Sequence, residues 1–388
     1  MEKNKQIYLD HAATTPMDPH VLEAMMPYLG PEFGNPSSIY AIAQRAKQSL
    51  DEARSDVAEI LGCTPEEIIF TSGGTESDNL AILGVARANA SKGKHIVTTK
   101  IEHHAVLHPC EFLEKEGFEV TYVDVEKNGI VDPEKVKAAV REDTILVSVM
   151  YANNEIGTIQ PIGPIGRFCK KRNIPFHTDA CQAAGALDMD VNRLKVSLLT
   201  LNGSKIYGPK GVGVLYVKKG INIQPLIYGG EQERRIRPGT ENVAGIVGLA
   251  AALNFAQERR EKENTRLIRL RDYLIKGIED RIPKVMLNGD PVERLPNNVN
   301  MSILDIEGEA LLLRLDMAGF AASSGSACTS GSLDPSHVIL ALGEPYEVAH
   351  GSLRFSLGKD TKKKDLDKLL EVLPKIVDDL RAISPVRL

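Results

Sequence analysis

Paired cysteines are missing from this sequence. Its five cysteines, Cys63, Cys110, Cys169, Cys181 and Cys328, are scattered, odd in number and without a CxxC spacing. That usage argues against a disulfide framework and against structural zinc. No run of about 18 apolar residues occurs, so a helical membrane span is excluded. A basic excess is absent too. Net charge is -5 and the pI is near 6.0, and direct nucleic-acid binding is not expected. The opening "MEKNKQIYLDHAATTP" has no apolar signal core, and the expected location is cytoplasmic. No internal repeat is found.

What is present is a globular composition, 43% hydrophobic and 26% charged over 388 residues. That is enough for a large core and two domains. "DPHVLEAMMPYLG" reads as a helix with an Asp cap, Pro at its first position and Gly at its end. "SSIYAIAQRAKQSLDEARSDVAEILG" reads as a longer helix stopped by Gly62. Strand-like runs follow: "EIIFTS", "HIVTTK", "EVTYVDV", "TILVSVMY", "IPFHTDA" and "VSLLTL". Helical patterns separate most of them. The predicted fold class is α/β, with a large domain built on a mostly parallel sheet covered on both faces. From Val243 to about Ile282 the pattern is helical and polar-rich, a connection between domains. "NNVNMSIL", "EGEALLLRLDMAG", "GSLRFSLG" and the amphipathic "KKDLDKLLEVLPKIVDDLRAI" then predict a smaller α+β domain. The expected division is 16–255 for the large domain, with 1–15 and 256–388 forming the small one.

In such sheets ligands gather beyond the carboxyl ends of the strands. "FTSGGTESDNLAI" follows a strand and opens a helix. Gly73 and Gly74 permit a tight turn whose free N–H groups favour an anion, and Thr75 adds a hydroxyl. The plainer reading is a capped turn. "KIEHHAVLH" places His103 and His104 in a loop, with His108 one helical turn beyond His104. An i, i+4 metal pair is conceivable, but no HExxH or cysteine ligand accompanies it. A loop histidine can also stack on an aromatic ligand, move protons, or simply be solvated. Asn153 and Asn154 shape a turn or bond a ligand hydroxyl. Asp179 ends an apolar strand, where an ionised carboxylate needs a partner. Gln182 lies three residues on. Lys205 ends a further apolar strand and can become a nucleophile by desolvation; Lys210, in "GPKG", is its rival. An anion cradle, a loop histidine, a buried carboxylate and a lysine are what pyridoxal 5'-phosphate requires, through a Schiff-base lysine and a carboxylate on its ring nitrogen.

The segments "YLDHAATTP", "FGNPSS", "SGGTESDN", "EHHAV", "NNEIG", "HTDACQ", "SKIYGPKG", "RPGTEN", "SSGSACTSGS" and "LRFSLG", in this order, resemble the cysteine desulfurases of the NifS/IscS type. These belong to the fold-type I pyridoxal phosphate enzymes, in the class V aminotransferase family. The resemblance implies that Lys205 carries the cofactor. It implies that Asp179 pairs with the pyridinium nitrogen and that His103 stacks on the ring and aids proton transfer. Asn154 and Gln182 would bond the phenolic oxygen. Gly74 and Thr75 would hold the phosphate, joined by Thr240 from the other subunit of a homodimer. Arg354, with Asn35, would bind the carboxylate of L-cysteine. Cys328, on a loop of small residues, would take the sulfur as a persulfide and pass it to an acceptor. That acceptor would be an iron–sulfur scaffold or another thiol carrier, for cluster assembly or tRNA thiolation. One departure stands out. The family carries Ser-Gly-His or Ser-Ala-His before the lysine, whereas this chain has Asn202-Gly203-Ser204. Asn202 can donate through its amide and Ser204 through its hydroxyl, so the expected change concerns the phosphate contacts. The other four cysteines read as structural thiols. The alternative function is selenocysteine lyase or another pyridoxal phosphate-dependent lyase.

Overall fold

The structure is a computed structural model that describes residues 6–324 and 335–383. Cys328, and with it the reading of a mobile acceptor loop, lies outside the described residues. The strands in chain order are β1 (Ile7–Tyr8), β2 (Ile68–Thr71), β3 (His95–Thr99), β4 (Glu119–Val123), β5 (Thr144–Ser148), β6 (Phe176–Asp179), β7 (Leu198–Asn202), β8 (Gly213–Val217), β9 (Val285–Leu287), β10 (Asn298–Ile303), β11 (Phe320–Ala321) and β12 (Ser352–Ser356).

β2 to β8 form one seven-stranded sheet in the order β2-β8-β7-β6-β5-β3-β4. The pairings β3–β4, β3–β5, β5–β6 and β6–β7 are parallel. β8 is antiparallel to both of its neighbours, β2 and β7. It is a strand the sequence reading did not single out. It follows β7 through a single 3-10 turn at Gly203–Lys205 and a Gly-Pro-Lys-Gly turn, with no intervening α-helix, so the strand–helix alternation gave no cue to it. Apolar residues cover both sheet faces. Val97, Val147, Phe176, Leu199 and Val214 pack in one core, and Ile69, Ile96, Leu146, Leu198 and Leu215 in another. That two-sided burial is why these strands read as continuous apolar runs rather than alternating ones.

The expected helices form at Pro19–Leu29, capped by Asp18, and at Ala41–Leu61, ended by Gly62 in the left-handed region. A single helix runs from Val243 to Glu279. Its Ile246, Leu249 and Leu253 join the core of the large sheet, while Leu267, Leu274 and Ile278 join a separate core with Leu9, Val299, Phe355 and Leu373. That second core is built on the antiparallel sheet β12-β10-β9 and the helix Lys363–Ile383. The start of the chain reaches it: β1 pairs in parallel with β11. We propose a two-domain division with its boundary near residue 255, inside this helix.

Candidate functional site

β2 leads into a helical run at Gly74–Asn79 that continues to Asn89 through a wider turn at Leu80–Gly84. Gly73 sits at φ 154° and ψ -177°, a region open to glycine alone. Gly74 is buried against the ends of β6 and β7. A Cβ there would stand 2.7 Å from Cys181 Sγ and 3.0 Å from Asn202 Nδ2. The turn therefore needs both glycines. It presents Thr75 at the surface, where Thr75 and His103 line one open pocket with Asn79, His104 and His108.

Asp179 ends β6, beside β7, with Thr200 as its register partner. It is 7% exposed and accepts a hydrogen bond from Cys181 N–H at 2.9 Å. The sequence calls for a cationic or strongly donating partner; the Cys181 N–H is a donor, and no ion pair among the described residues reaches Asp179. Beneath it lies a polar cluster. His177, on the same strand, bonds Ser148 Oγ at 2.9 Å and Thr200 Oγ1 at 3.1 Å, and its Nε2 is 3.5 Å from Asp78 Oδ1. Burial pushes the Asp78 carboxyl well above its usual range, and the nearby Asp179 adds to the rise. Burial also drops His177 to about 4.

Lys205 closes the short turn Gly203–Lys205 directly after β7. Its Nζ donates to the carbonyl of Ala13, and Gln182 Nε2 donates to the carbonyl of Ala12 at 3.0 Å. The segment "DHAATTP" thereby becomes a wall of the site. Lys205 and Gln182 share a cavity of about 210 Å³ with His11, Thr15 and Tyr207. The rival Lys210 is exposed, and its Nζ donates to Thr15 carbonyl at 2.7 Å. Ser204 Oγ donates to Asn202 Oδ1 at 3.1 Å. That bond directs the Asn202 amide donor toward Gly74.

His103 is the N-cap of the helix His104–Lys115. The N–H of Ala105 donates to its Nδ1 at 3.1 Å. The neutral ring therefore carries its proton on Nε2, and its outward nitrogen is a donor. His104 stacks on His108 with centroids 4.8 Å apart and lies 4.7 Å from His337. Among the described residues no group of three or more His, Cys, Asp or Glu is arranged to hold a metal ion.

Arg354, on β12, is 3% exposed. Its Nη2 contacts Asp10 Oδ1 at 2.9 Å and its Nη1 donates to Asn154 carbonyl at 2.9 Å, while its buried Nε has no hydrogen-bond partner. This arginine thus joins the small sheet to the turn after β5. The next residue, Glu155, is buried and accepts from Ser336 Oγ. Burial lifts its carboxyl to about 7, against the bond from Ser336. Asn35 is exposed and its side chain accepts from Ser37 N–H at 3.0 Å. Thr240 is also exposed. Within one chain, no hydrogen bond among the described residues joins either to the others. Sequence reasoning missed Asp10 and the carbonyls of Ala12 and Ala13. The signal available was their place in "YLDHAATTP", which carried no individual role.

Cys110, Cys169 and Cys181 are buried and Cys63 is half-buried. Burial pushes all four thiols up, to about 12 for Cys63 and Cys169. None is a ready nucleophile.

The residues present fit pyridoxal phosphate. A buried carboxylate without a cation suits a pyridinium nitrogen, and a two-glycine turn at a helix start suits a phosphate. The family model of the class V aminotransferases matches residues 7–369, and the chain belongs to that family. Within it, the chain is 56% identical over 385 residues to the cysteine desulfurase IscS of Clostridium botulinum, covering 99% of this chain and 97% of that one. It is 55% identical to the cysteine desulfurase IscS of Methanosarcina thermophila, covering 99% and 95%. A solved NifS-like protein superposes with a TM-score of 0.91 at 37% identity, over 97% of this chain and all of that one. A structure of SspA in complex with cysteine matches with a TM-score of 0.80 at 37% identity, over 90% and 98%. The chain's place in the family is with the NifS/IscS type, and the fold is that of the fold-type I enzymes.

Proposed function

We propose that the protein is a pyridoxal phosphate-dependent cysteine desulfurase, converting L-cysteine to L-alanine and holding the sulfur as a persulfide on Cys328. The observation that carries this reading is Asp179. It is a buried carboxylate that no ion pair among the described residues reaches, on the strand beside the one that leads to Lys205. The relatives named cysteine desulfurase favour it over selenocysteine lyase.

When bound, the cofactor supplies an electron-poor ring that stabilises the charge left as the substrate's α-proton departs. Asp179 would keep the ring nitrogen protonated. Gly74, Thr75 and the Asn202 amide would hold the phosphate, with Ser204 orienting Asn202. Gln182 and Asn154 would meet the phenolic oxygen. His103 would lie on the ring face with Nε2–H as its donor. Arg354, backed by Asp10, would hold the substrate carboxylate, with Asn35 beside it. Lys205 Nζ would hold the cofactor and then, once released, take the α-proton. The Cys328 thiolate would attack the substrate sulfur, forming an S–S bond as the carbon–sulfur bond breaks. The electron pair of that bond stays with the carbon skeleton, which is reprotonated and leaves as alanine.

The persulfide would pass to a thiol on an iron–sulfur scaffold or another carrier, for cluster assembly or tRNA thiolation in the cytoplasm. Exposed apolar side chains at Phe33, Ile39 and Tyr228 support a homodimer, in which Thr240 reaches the second site. Fully active monomer on sizing would overturn the dimer. For the chemistry, Cys328→Ala should abolish alanine release while the cofactor's visible absorbance stays. Substantial remaining turnover would remove Cys328 as the acceptor.

A further inference from the structure

Residues 231–242 carry Thr240 and are fastened to the large sheet mainly by side chains. The backbone there is strained: Glu233, Arg234 and Arg235 lie consecutively at φ 42°, 56° and 63°, where L residues are disfavoured. Anchors offset the strain. Glu233 takes a two-pronged contact from Arg54, at 2.9 and 2.5 Å, and accepts from Phe70 N–H at 3.0 Å. Arg234 donates to Ile68 carbonyl, and Gly239 N–H donates to Gln232 Oε1 at 3.1 Å. These bonds tie the segment to β2, to the helix before it, or to itself.

Another anchor reaches the anion cradle. Arg237 Nε donates to Glu76 Oε1 at 2.9 Å, and Glu76 Oε2 accepts from Ser72 N–H at 2.7 Å. Glu76 directly follows Thr75. One carboxylate therefore holds both the Ser72–Thr75 turn and the arm running to Thr240. Burial works to raise the Glu76 carboxyl, but Arg237 and Ser72 outweigh it and hold it below its usual range. An ionised carboxylate beside a phosphate site opposes the phosphate unless its charge is matched, and Arg237 matches it.

We propose that Glu76 is a positioning residue for cofactor phosphate binding, locking the cradle of one subunit and the Thr240 arm that serves the other subunit into one unit. This inference rests on the cofactor and dimer readings above. Its test is the dissociation constant of pyridoxal phosphate on cofactor-stripped protein, beside the thermal midpoint of the same stripped protein. Arg237→Gln leaves the Glu76 charge unmatched and should weaken binding about tenfold; Glu76→Gln, which keeps an acceptor for Ser72, should weaken it about threefold. The double variant should resemble Glu76→Gln alone, because the unmatched charge is gone. Midpoints of the stripped proteins should stay near wild type. Unaltered binding in all three variants overturns the proposal. So does a fall in the stripped midpoint that tracks the loss of binding, which marks a merely structural pair. Wild-type protein that takes up no pyridoxal phosphate overturns the functional reading and this inference with it. Mixed dimers separate the remaining parts. With Lys205→Ala in one subunit, Arg237→Gln in that same subunit should weaken the cofactor held by its partner. Weakening only when Arg237→Gln lies in the intact subunit overturns the cross-subunit arm and leaves the role of Glu76 standing.

Discussion

At the carboxyl ends of β2, β6 and β7, polar groups are buried with hydrogen-bonding capacity to spare. No ion pair among the described residues reaches Asp179, and Gly74 is pressed against Cys181 and Asn202. On β12 the pairing is different: a cation already has its carboxylate, though its Nε is unpartnered. Arg354 has one edge of its guanidinium already committed to Asp10 and to Asn154 carbonyl. In the proposed reading the large sheet holds the group that stays, the cofactor. The small sheet offers a cation paired in advance with Asp10, which in the same reading meets the substrate carboxylate that arrives and leaves. A strong uncompensated charge at that place would hold product as well as substrate, and binding both equally gains nothing in turnover.

The largest effect expected tests the large-sheet half. Lys205→Ala should lower desulfurase turnover by about a thousandfold or more and remove the visible absorbance of the lysine-bound cofactor. Lys210→Ala should change turnover less than about twofold, since its Nζ caps a backbone carbonyl at the surface. Loss of the absorbance in Lys210→Ala but not in Lys205→Ala would reverse the assignment.

Much of this half is legible in the sequence because parallel sheets announce themselves. Continuous apolar runs end in Gly73, His103, Asp179 and Lys205, and strand ends collect ligands. The small-sheet half is less legible. Asp10 and Arg354 are 344 positions apart, and no local pattern predicts that pairing. The same applies to Arg237 and Glu76, 161 positions apart. β8 was missed because it enters without an α-helix before it. The burial of Asp78, Glu102 and Glu155 was missed because nothing in the sequence separates a buried carboxyl from an exposed one.

The small-sheet half is tested by Arg354→Lys. Lysine keeps the charge near Asp10 but not the planar fork that spans Asp10, Asn154 and a substrate carboxylate. KM for cysteine should rise by about 10- to 100-fold with a smaller change in kcat, and cofactor absorbance should be kept. Arg354→Ala is the poorer probe, since it leaves the half-buried Asp10 without its cation and empties a buried position on β12, which destabilises the fold itself. If Arg354→Lys lost its cofactor, the contrast between resident and exchanging ligands would fail.

The smallest effect concerns Glu102, which lies under the large-sheet half beside His103. It is fully buried, accepting from Thr99 Oγ1 at 2.7 Å and Met150 N–H at 3.0 Å, with Oε2 unpartnered. Burial lifts its carboxyl from the ordinary 4.5 to about 8, against the bonds from Met150 and Thr99. Between those values the folded protein keeps a proton that the unfolded chain has lost. Stability therefore falls as pH rises through that window, by on the order of a few kcal/mol, and levels off above it. Glu102→Gln keeps an acceptor for Met150 and has no proton to lose, so its stability should be flatter with pH. Denaturant midpoints measured from about pH 5 to about pH 8 check this, and a wild-type curve as flat as that of Glu102→Gln would mean that Glu102 ionises in the fold.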